Sequence, residues 1–212
     1  DVRLSRGLGD VYKRQCEYNV NEIKRLAKIG FELAMKRSKK LCCIDKANVL
    51  ETSRLWRQTV QSLEKNYPEV NVSYEFVDAV AMRLIHSPSY YDVLITSNLF
   101  GDILTDEASV ISGSMGLMPS ASVGVETSIY EPIHGSFPQA KGKNIANPLA
   151  TILSASMMFE RSFHLNEESK LIRDLVNESI SNNIVTKDLS GDGKPFTTTE
   201  VGDRIVDRIR KG

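Results

Sequence analysis

Two carboxylates four residues apart, Asp102 and Asp106, follow a strand-like run in Asn98-Leu-Phe-Gly-Asp-Ile-Leu-Thr-Asp106. If Ile103 onward is helical, both share one face at a helix N-terminus. Paired oxygen donors set that way suit a hard divalent cation, Mg2+ or Mn2+, that keeps several of its waters. A third carboxylate, Asp78, ends another apolar run, so three aspartates could converge on one ion. Such an ion polarises a carbonyl and stabilises an enolate as carbon dioxide leaves. Beside it the ammonium form of Lys46 would be disfavoured, so that lysine could exchange protons near neutral pH. The chemistry this predicts is oxidation of a 2-hydroxy acid, then loss of a β-carboxylate. The same residues also fit plainer roles: an acidic first turn complementing a helix dipole, and a surface lysine after an edge strand.

A second group lies between Glu131 and Asn147. It offers a dinucleotide site without the Gly-x-Gly-x-x-Gly fingerprint. Gly135 would let backbone approach a phosphate closely, and the Ser136 hydroxyl could donate to one. An ordinary surface loop has the same composition, and a lone His134 is as readily structural. His86 and His164 point to no chemistry.

The elements that would position these residues alternate. A helical pattern begins at Asn21 (Ile23, Leu26, Ala27, Phe31, Ala34), and Leu41-Cys-Cys-Ile44 reads as a short buried strand. Trp56, Val60, Leu63 and Tyr67 mark a second helix stopped by Pro68. Val70, Val72, Tyr74 and Phe76 alternate as a strand, a short helix with Met82 and Ile85 follows, and 91–97 is the next strand. Gly101 marks a break before the acidic helix. Strands alternating with helices imply an α/β fold with a largely parallel sheet. Lys46, Asp78 and Asp102 would all fall at strand ends, where open α/β sheets bind ligands.

After this the character changes. Gly113-Ser-Met-Gly116 and Met118-Pro-Ser-Ala-Ser122 read as tight turns, and 131–144 as a long polar loop. Asn147-Pro148 suits the start of a helix carrying Leu149, Ile152, Leu153 and Met157. Residues 166–183 form an amphipathic helix, and Thr197-Thr-Thr-Glu200 fits a capping box before a closing helix.

Composition narrows the classes. Twenty-seven basic residues balance 27 acidic ones, so no net field favours nucleic acid or anionic membranes. Three cysteines, Cys16, Cys42 and Cys43, make neither a disulfide framework nor a zinc spacing, which favours a reducing cytoplasm. No apolar run approaches the roughly 18–20 residues of a membrane span.

Together these segments resemble the isocitrate/isopropylmalate dehydrogenase family, and its isopropylmalate branch in particular. The matching residues are Asp45-Lys-Ala-Asn-Val-Leu50 with Ser53-Arg-Leu-Trp-Arg57, Val77-Asp-Ala79 and Asn98 through Ala108. Gly113 to Gly116, Met118 to Ser122, Glu131-Pro-Ile-His-Gly-Ser136 and Ile145-Ala-Asn-Pro148 complete the set. The resemblance runs from about Cys16 to the C-terminus. It implies a homodimer with shared active sites, NAD, and Mg2+ or Mn2+. Asp102 and Asp106 would be metal ligands from one subunit. Asp78, and Lys46 as the proton-transferring lysine, would come from the other. Asn48 would lie near the nicotinamide and Val49 near the substrate's branched side chain. Glu131, His134, Gly135, Ser136, Gln139 and Asn147 would line the cofactor site. Gln139 departs from the aspartate common in NAD-using members, yet its amide can still bond a ribose hydroxyl.

The implied reaction is NAD-dependent oxidative decarboxylation of 3-isopropylmalate to 4-methyl-2-oxopentanoate in leucine biosynthesis. Tartrate/malate or isocitrate oxidation is the alternative within the family, and a non-catalytic dimerising piece the alternative outside it. The implied fold has two α/β domains, with 16–112 the central dimerising and metal-binding domain. Residues 113–212 would be the returning half of the cofactor-side domain, and 1–15 a leader foreign to the family. Family members also carry an earlier segment with substrate-binding arginines and a catalytic tyrosine, which nothing here matches. The expectation is an N-terminally truncated chain, inactive alone, with an apolar sheet edge or face left exposed.

Overall fold

A computed structural model of the protein describes residues 16–211; the expected foreign leader at 1–15 lies outside the described residues. The chain divides into two compact units on either side of the Ile103–Leu104 bond. That division falls inside a helix, whereas the change of character in the sequence lies at 112/113.

The first unit is built on a three-stranded parallel sheet in the order β2-β1-β3, with β1 Lys40–Asp45, β2 Asn71–Phe76 and β3 Val93–Ile95. Helix α1 (Val20–Met35) leads into β1, while α2 (Glu51–Glu64) and α3 (Val77–His86) supply the crossovers to β2 and β3. The Asn19 side chain accepts from the Asn21 and Glu22 amides while Glu22 accepts from the Asn19 amide, a reciprocal cap that fixes where α1 begins. The apolar stripe of α1 (Ile23, Ala27, Phe31, Ala34) packs with Leu41 and Cys43 of β1, Trp56 and Val60 of α2, and Val93 and Ile95 of β3. Cys42 and Ile44, on the alternate side of the pleat, are buried too, as a central parallel strand requires. Gly30 is where α1 comes closest to the sheet: a Cβ there would meet Ile95 Cγ2 at 2.4 Å.

Three local expectations change. The second helix starts at Glu51 and ends at Glu64, so Tyr67 lies beyond it and stacks its ring on Phe31 at 4.5 Å. Strand β2 does not show a clean buried/exposed alternation, because an edge strand has a neighbour on one side only. Gly101 is not a break: α4 spans Asn98–Ser112 and contains it. A Cβ at Gly101 would stand 3.3 Å from Thr96 Cγ2, so the glycine serves a close approach to the strand end.

The second unit holds a two-stranded antiparallel sheet, β4 (Pro119–Val123) paired with β5 (Ser128–Pro132), and helices α5 (Leu149–Arg161), α6 (Asn166–Ser181) and α7 (Thr198–Lys211). Met118 to Ser122, expected as a turn, is therefore mostly strand. Its residues pair in antiparallel register with Ser128 to Pro132, and pairing with that next strand overrides local propensity. Helix α5 lies on both strands and against α6. Its buried small residues allow the close approach: the Ser156 hydroxyl donates to the Ser169 carbonyl at 2.8 Å. Leu149, Leu175, Val176, Val201 and Ile205 form the core. The Thr197–Glu200 capping box opens α7 as expected. Val123, Val125 and Ile129, at the hairpin, are exposed.

Candidate active-site residues

Lys46 and Asp78 meet. Lys46 follows the last residue of β1, Asp78 is the second residue of α3, and β1 and β2 are parallel neighbours in the register Asp45↔Phe76. Two chain segments 32 residues apart thus end side by side, and Lys46 Nζ donates to Asp78 Oδ1 at 2.5 Å. The Lys46 ammonium also lies 5.6 Å from the centroid of the Phe76 ring. That hydrogen bond, with one from its own backbone amide, holds the Asp78 carboxyl below the ordinary aspartate range. The Asp78 side chain is 63% exposed and that of Lys46 25% exposed, so the carboxylate is open to an incoming group. Asn48 and Val49, in the turn between β1 and α2, are both exposed.

Asp102 and Asp106 lie in α4 one turn apart and are exposed. They are not in its first turn, which carries no acidic residue. The correction matters chemically: with α4 beginning at Asn98, complementing a helix dipole no longer explains them, because that effect fades within the first turn. The donor set, carboxylate oxygens only, fits Mg2+ or Mn2+ and not a soft metal. Among the described residues no group of three or more His, Cys, Asp or Glu side chains gathers within this one chain to hold an ion.

The third group runs from β5 to the start of α5. Glu131 sits on β5 opposite Ser120 and is exposed. The His134 Nδ1–H donates to the Gly135 carbonyl at 3.0 Å. Gly135, Ser136 and Gln139 are exposed, Gln139 within the short turn Pro138–Ala140. A Cβ on Gly135 would meet nothing within 4 Å. The chain's own packing therefore does not demand a glycine here, and the backbone at Gly135 is open to close approach by a phosphate. Asn147 is tied at both ends of its amide: Oδ1 accepts from the Leu149 amide at 2.9 Å, just ahead of α5, whose N-cap position is Pro148, and Nδ2 donates to Asp188 at 2.9 Å.

Sequence reasoning passed over three residues that hold these groups. Asp188 accepts from Ser114, Thr186 and Asn147. Partial burial opposes its ionisation, yet those donors outweigh burial and keep the carboxyl below its ordinary range. No motif marked it; it stands in an otherwise unremarkable polar stretch. Asp45, only 1% exposed, forms a two-point ion pair with Arg57 through Nε to Oδ2 (2.7 Å) and Nη2 to Oδ1 (3.1 Å). An acidic residue at the end of an apolar strand was the available signal.

Residues 10–205 match the family model described as isocitrate/isopropylmalate dehydrogenase, a match that starts inside the leader set apart by the sequence reading. The chain is 57% identical over 195 residues to a 3-isopropylmalate dehydrogenase of Bacteroides fragilis, covering 92% of this chain and 55% of that protein. It is 47% identical over 205 residues to the enzyme of that name from Clostridium acetobutylicum, covering 96% of this chain and 57% of that one. Among solved structures, isocitrate dehydrogenase from Methylococcus capsulatus superposes with a TM-score of 0.87 at 34% identity, over 92% of this chain and 58% of that one. The chain spans about half the length of the curated relatives it matches. With its parallel sheet, its Lys46–Asp78 pair and a family match over most of its length, this chain belongs to the isocitrate/isopropylmalate dehydrogenase family.

Proposed function

We propose that this chain carries metal-binding, proton-transferring and NAD-binding residues of a 3-isopropylmalate dehydrogenase of leucine biosynthesis. The product would be 4-methyl-2-oxopentanoate. The observation that carries the reading is the Lys46–Asp78 pair at adjacent strand ends, in a chain whose relatives named above include two 3-isopropylmalate dehydrogenases. When bound, the divalent cation would supply Lewis-acid polarisation and NAD the hydride acceptor. Lys46 would exchange a proton with the substrate 2-hydroxyl, and the adjacent Asp78 carboxylate would balance the ammonium that results. Asp102 and Asp106 would hold the cation, with Asp78 completing its ligands from a second copy. Val49, 62% exposed, would face the branched side chain, and Asn48 the nicotinamide.

A homodimer is part of this proposal. Met82 and Ile85 on α3 and Leu99 and Ile103 on α4 are all exposed, on the same helices as Asp78 and Asp102. A second copy covering them would bury apolar surface and bring Lys46 and Asp78 of one subunit to the α4 carboxylates of the other. Among the described residues no helix is long and apolar enough to cross a membrane. A cytoplasmic location is proposed from the unpaired cysteines alone.

The experiment is turnover of a complete enzyme containing this segment, with Mg2+ or Mn2+ and NAD, on isopropylmalate, malate, tartrate and isocitrate. Preference for isopropylmalate is expected. Lys46→Met should lower kcat by about 10²–10⁴-fold, the usual size of a general acid–base contribution. Preference for another of these acids would reassign the substrate. No turnover on any of them would leave a non-catalytic dimerising module.

A further inference from the structure

Lys46 can act only if its ammonium is delivered to one place, and the surroundings of its backbone show how. The peptide joining Lys46 to Ala47 is tied at both polar ends. The Lys46 carbonyl accepts from the Val49 and Leu50 amides, each at 2.9 Å, and the Ala47 amide donates to Asp45 Oδ1 at 2.8 Å. The next carbonyl, that of Ala47, accepts from Arg54 Nε at 2.8 Å. Asp45 is in turn gripped by the Arg57 fork described above. The Arg57 guanidinium lies 5.3 Å from the Phe76 ring centroid and 5.6 Å from that of Tyr74, and Phe76 is also the ring beside the Lys46 ammonium.

We propose that Asp45 and Arg57 are positioning residues for Lys46: the ion pair of the buried Asp45 with the partly exposed Arg57 fixes the peptide that carries the lysine and the aromatic ring beside its ammonium. The proposal rests on Lys46 being the proton-transferring group. Stability alone does not call for the pair, because desolvating the buried Asp45 carboxylate offsets much of its attraction to Arg57. What the pair adds is direction. A carboxylate with three fixed donors admits one orientation of the Ala47 amide, and a planar fork under two rings admits one placement of Phe76. Arg57 itself stays on α2, away from the proton transfer.

The test reads order in Lys46 rather than activity. In the 212-residue chain without added metal, 15N relaxation of the lysine side-chain ammonium groups gives an order parameter for each. Loss of a signal in Lys46→Met assigns the relevant one. The wild type should show Lys46 ordered, well above the exposed Lys28. Asp45→Asn keeps an acceptor for Ala47 but weakens the pair; Arg57→Lys keeps the charge but loses the fork. Both should drop Lys46 to the value of Lys28. Val60→Ala, a core deletion in the same helix, should lower thermal stability and leave Lys46 ordered. Unchanged order in either pair variant overturns the proposal, and so does equal release by Val60→Ala. If Asp45→Asn does not fold, Arg57→Lys decides alone. Full turnover by Lys46→Met in a complete enzyme would instead sink the catalytic reading and leave the NMR result standing.

Discussion

Asp45 and Phe76 are register partners at the carboxyl ends of two parallel strands, and the Lys46 side-chain contacts with Asp78 and the Phe76 ring follow from that pairing. Slipping β1 against β2 would carry Lys46 away from Asp78 and its ring partner together. The register is held by burial: β1 has five consecutive buried residues, so a slip would expose apolar surface.

The carboxylates of α4 give a direct test of metal binding. Asp106→Asn removes one hard anionic donor while preserving size and helix. In a dimeric complete enzyme, Mn2+ affinity followed by electron paramagnetic resonance should fall on the order of tenfold or more. Thermal stability without metal should change little, since Asp106 is exposed. Unaltered Mn2+ binding would remove Asp106 from the ligand set.

Two glycines should respond in opposite ways. Gly30→Ala pushes a methyl group into Ile95 and should cost about 1–3 kcal/mol in denaturant unfolding. Gly135→Ala meets open space, so stability should stay within about 0.5 kcal/mol. NAD affinity, measured calorimetrically on a complete enzyme, should nevertheless weaken on the order of tenfold. Unchanged affinity would make 131–147 a plain surface loop.

Asp92 should make a recognisable contribution to acid sensitivity. The Ser38 hydroxyl and amide, with Arg37, donate to its carboxylate and hold the carboxyl below its ordinary range, although partial burial opposes this. A pKa lowered in the folded state gives stability that is complete above the unfolded value, about 3.9, and is lost as pH falls toward the folded one. The stability difference between wild type and Asp92→Asn should therefore be flat near neutrality and shrink below about pH 4. A difference that grows on acidification would contradict the assignment.

The cysteines should separate cleanly. Cys42 and Cys43 are buried, and that burial pushes the Cys42 thiol up to about 11 and that of Cys43 higher still. Cys16 is exposed. A thiol reagent at mildly alkaline pH should label Cys16 promptly and the other two only after unfolding, as peptide mapping will show. Prompt labelling of Cys42 would mean that the first sheet opens locally.

Much of this protein was legible in its residues. Periodicity located α1 and α6 because each has an apolar pattern of helical period, a short continuous apolar run marked β1, and the Thr197–Glu200 cap announced α7. Motif order identified the family, and side-chain chemistry singled out Lys46, Asp78, Asp102 and Asp106. What residues alone could not fix depended on pairing and packing partners outside each segment. Ser120 is a strand residue only because Glu131 pairs with it, and Gly101 is helical although glycine usually interrupts. Asp45 looked like a strand terminus until its carboxylate was seen holding Ala47 and Arg57. Local sequence determines which groups are present and which period each segment obeys. The pairing of β1 with β2 decides which groups meet, because register is an energy shared between two segments and belongs to neither.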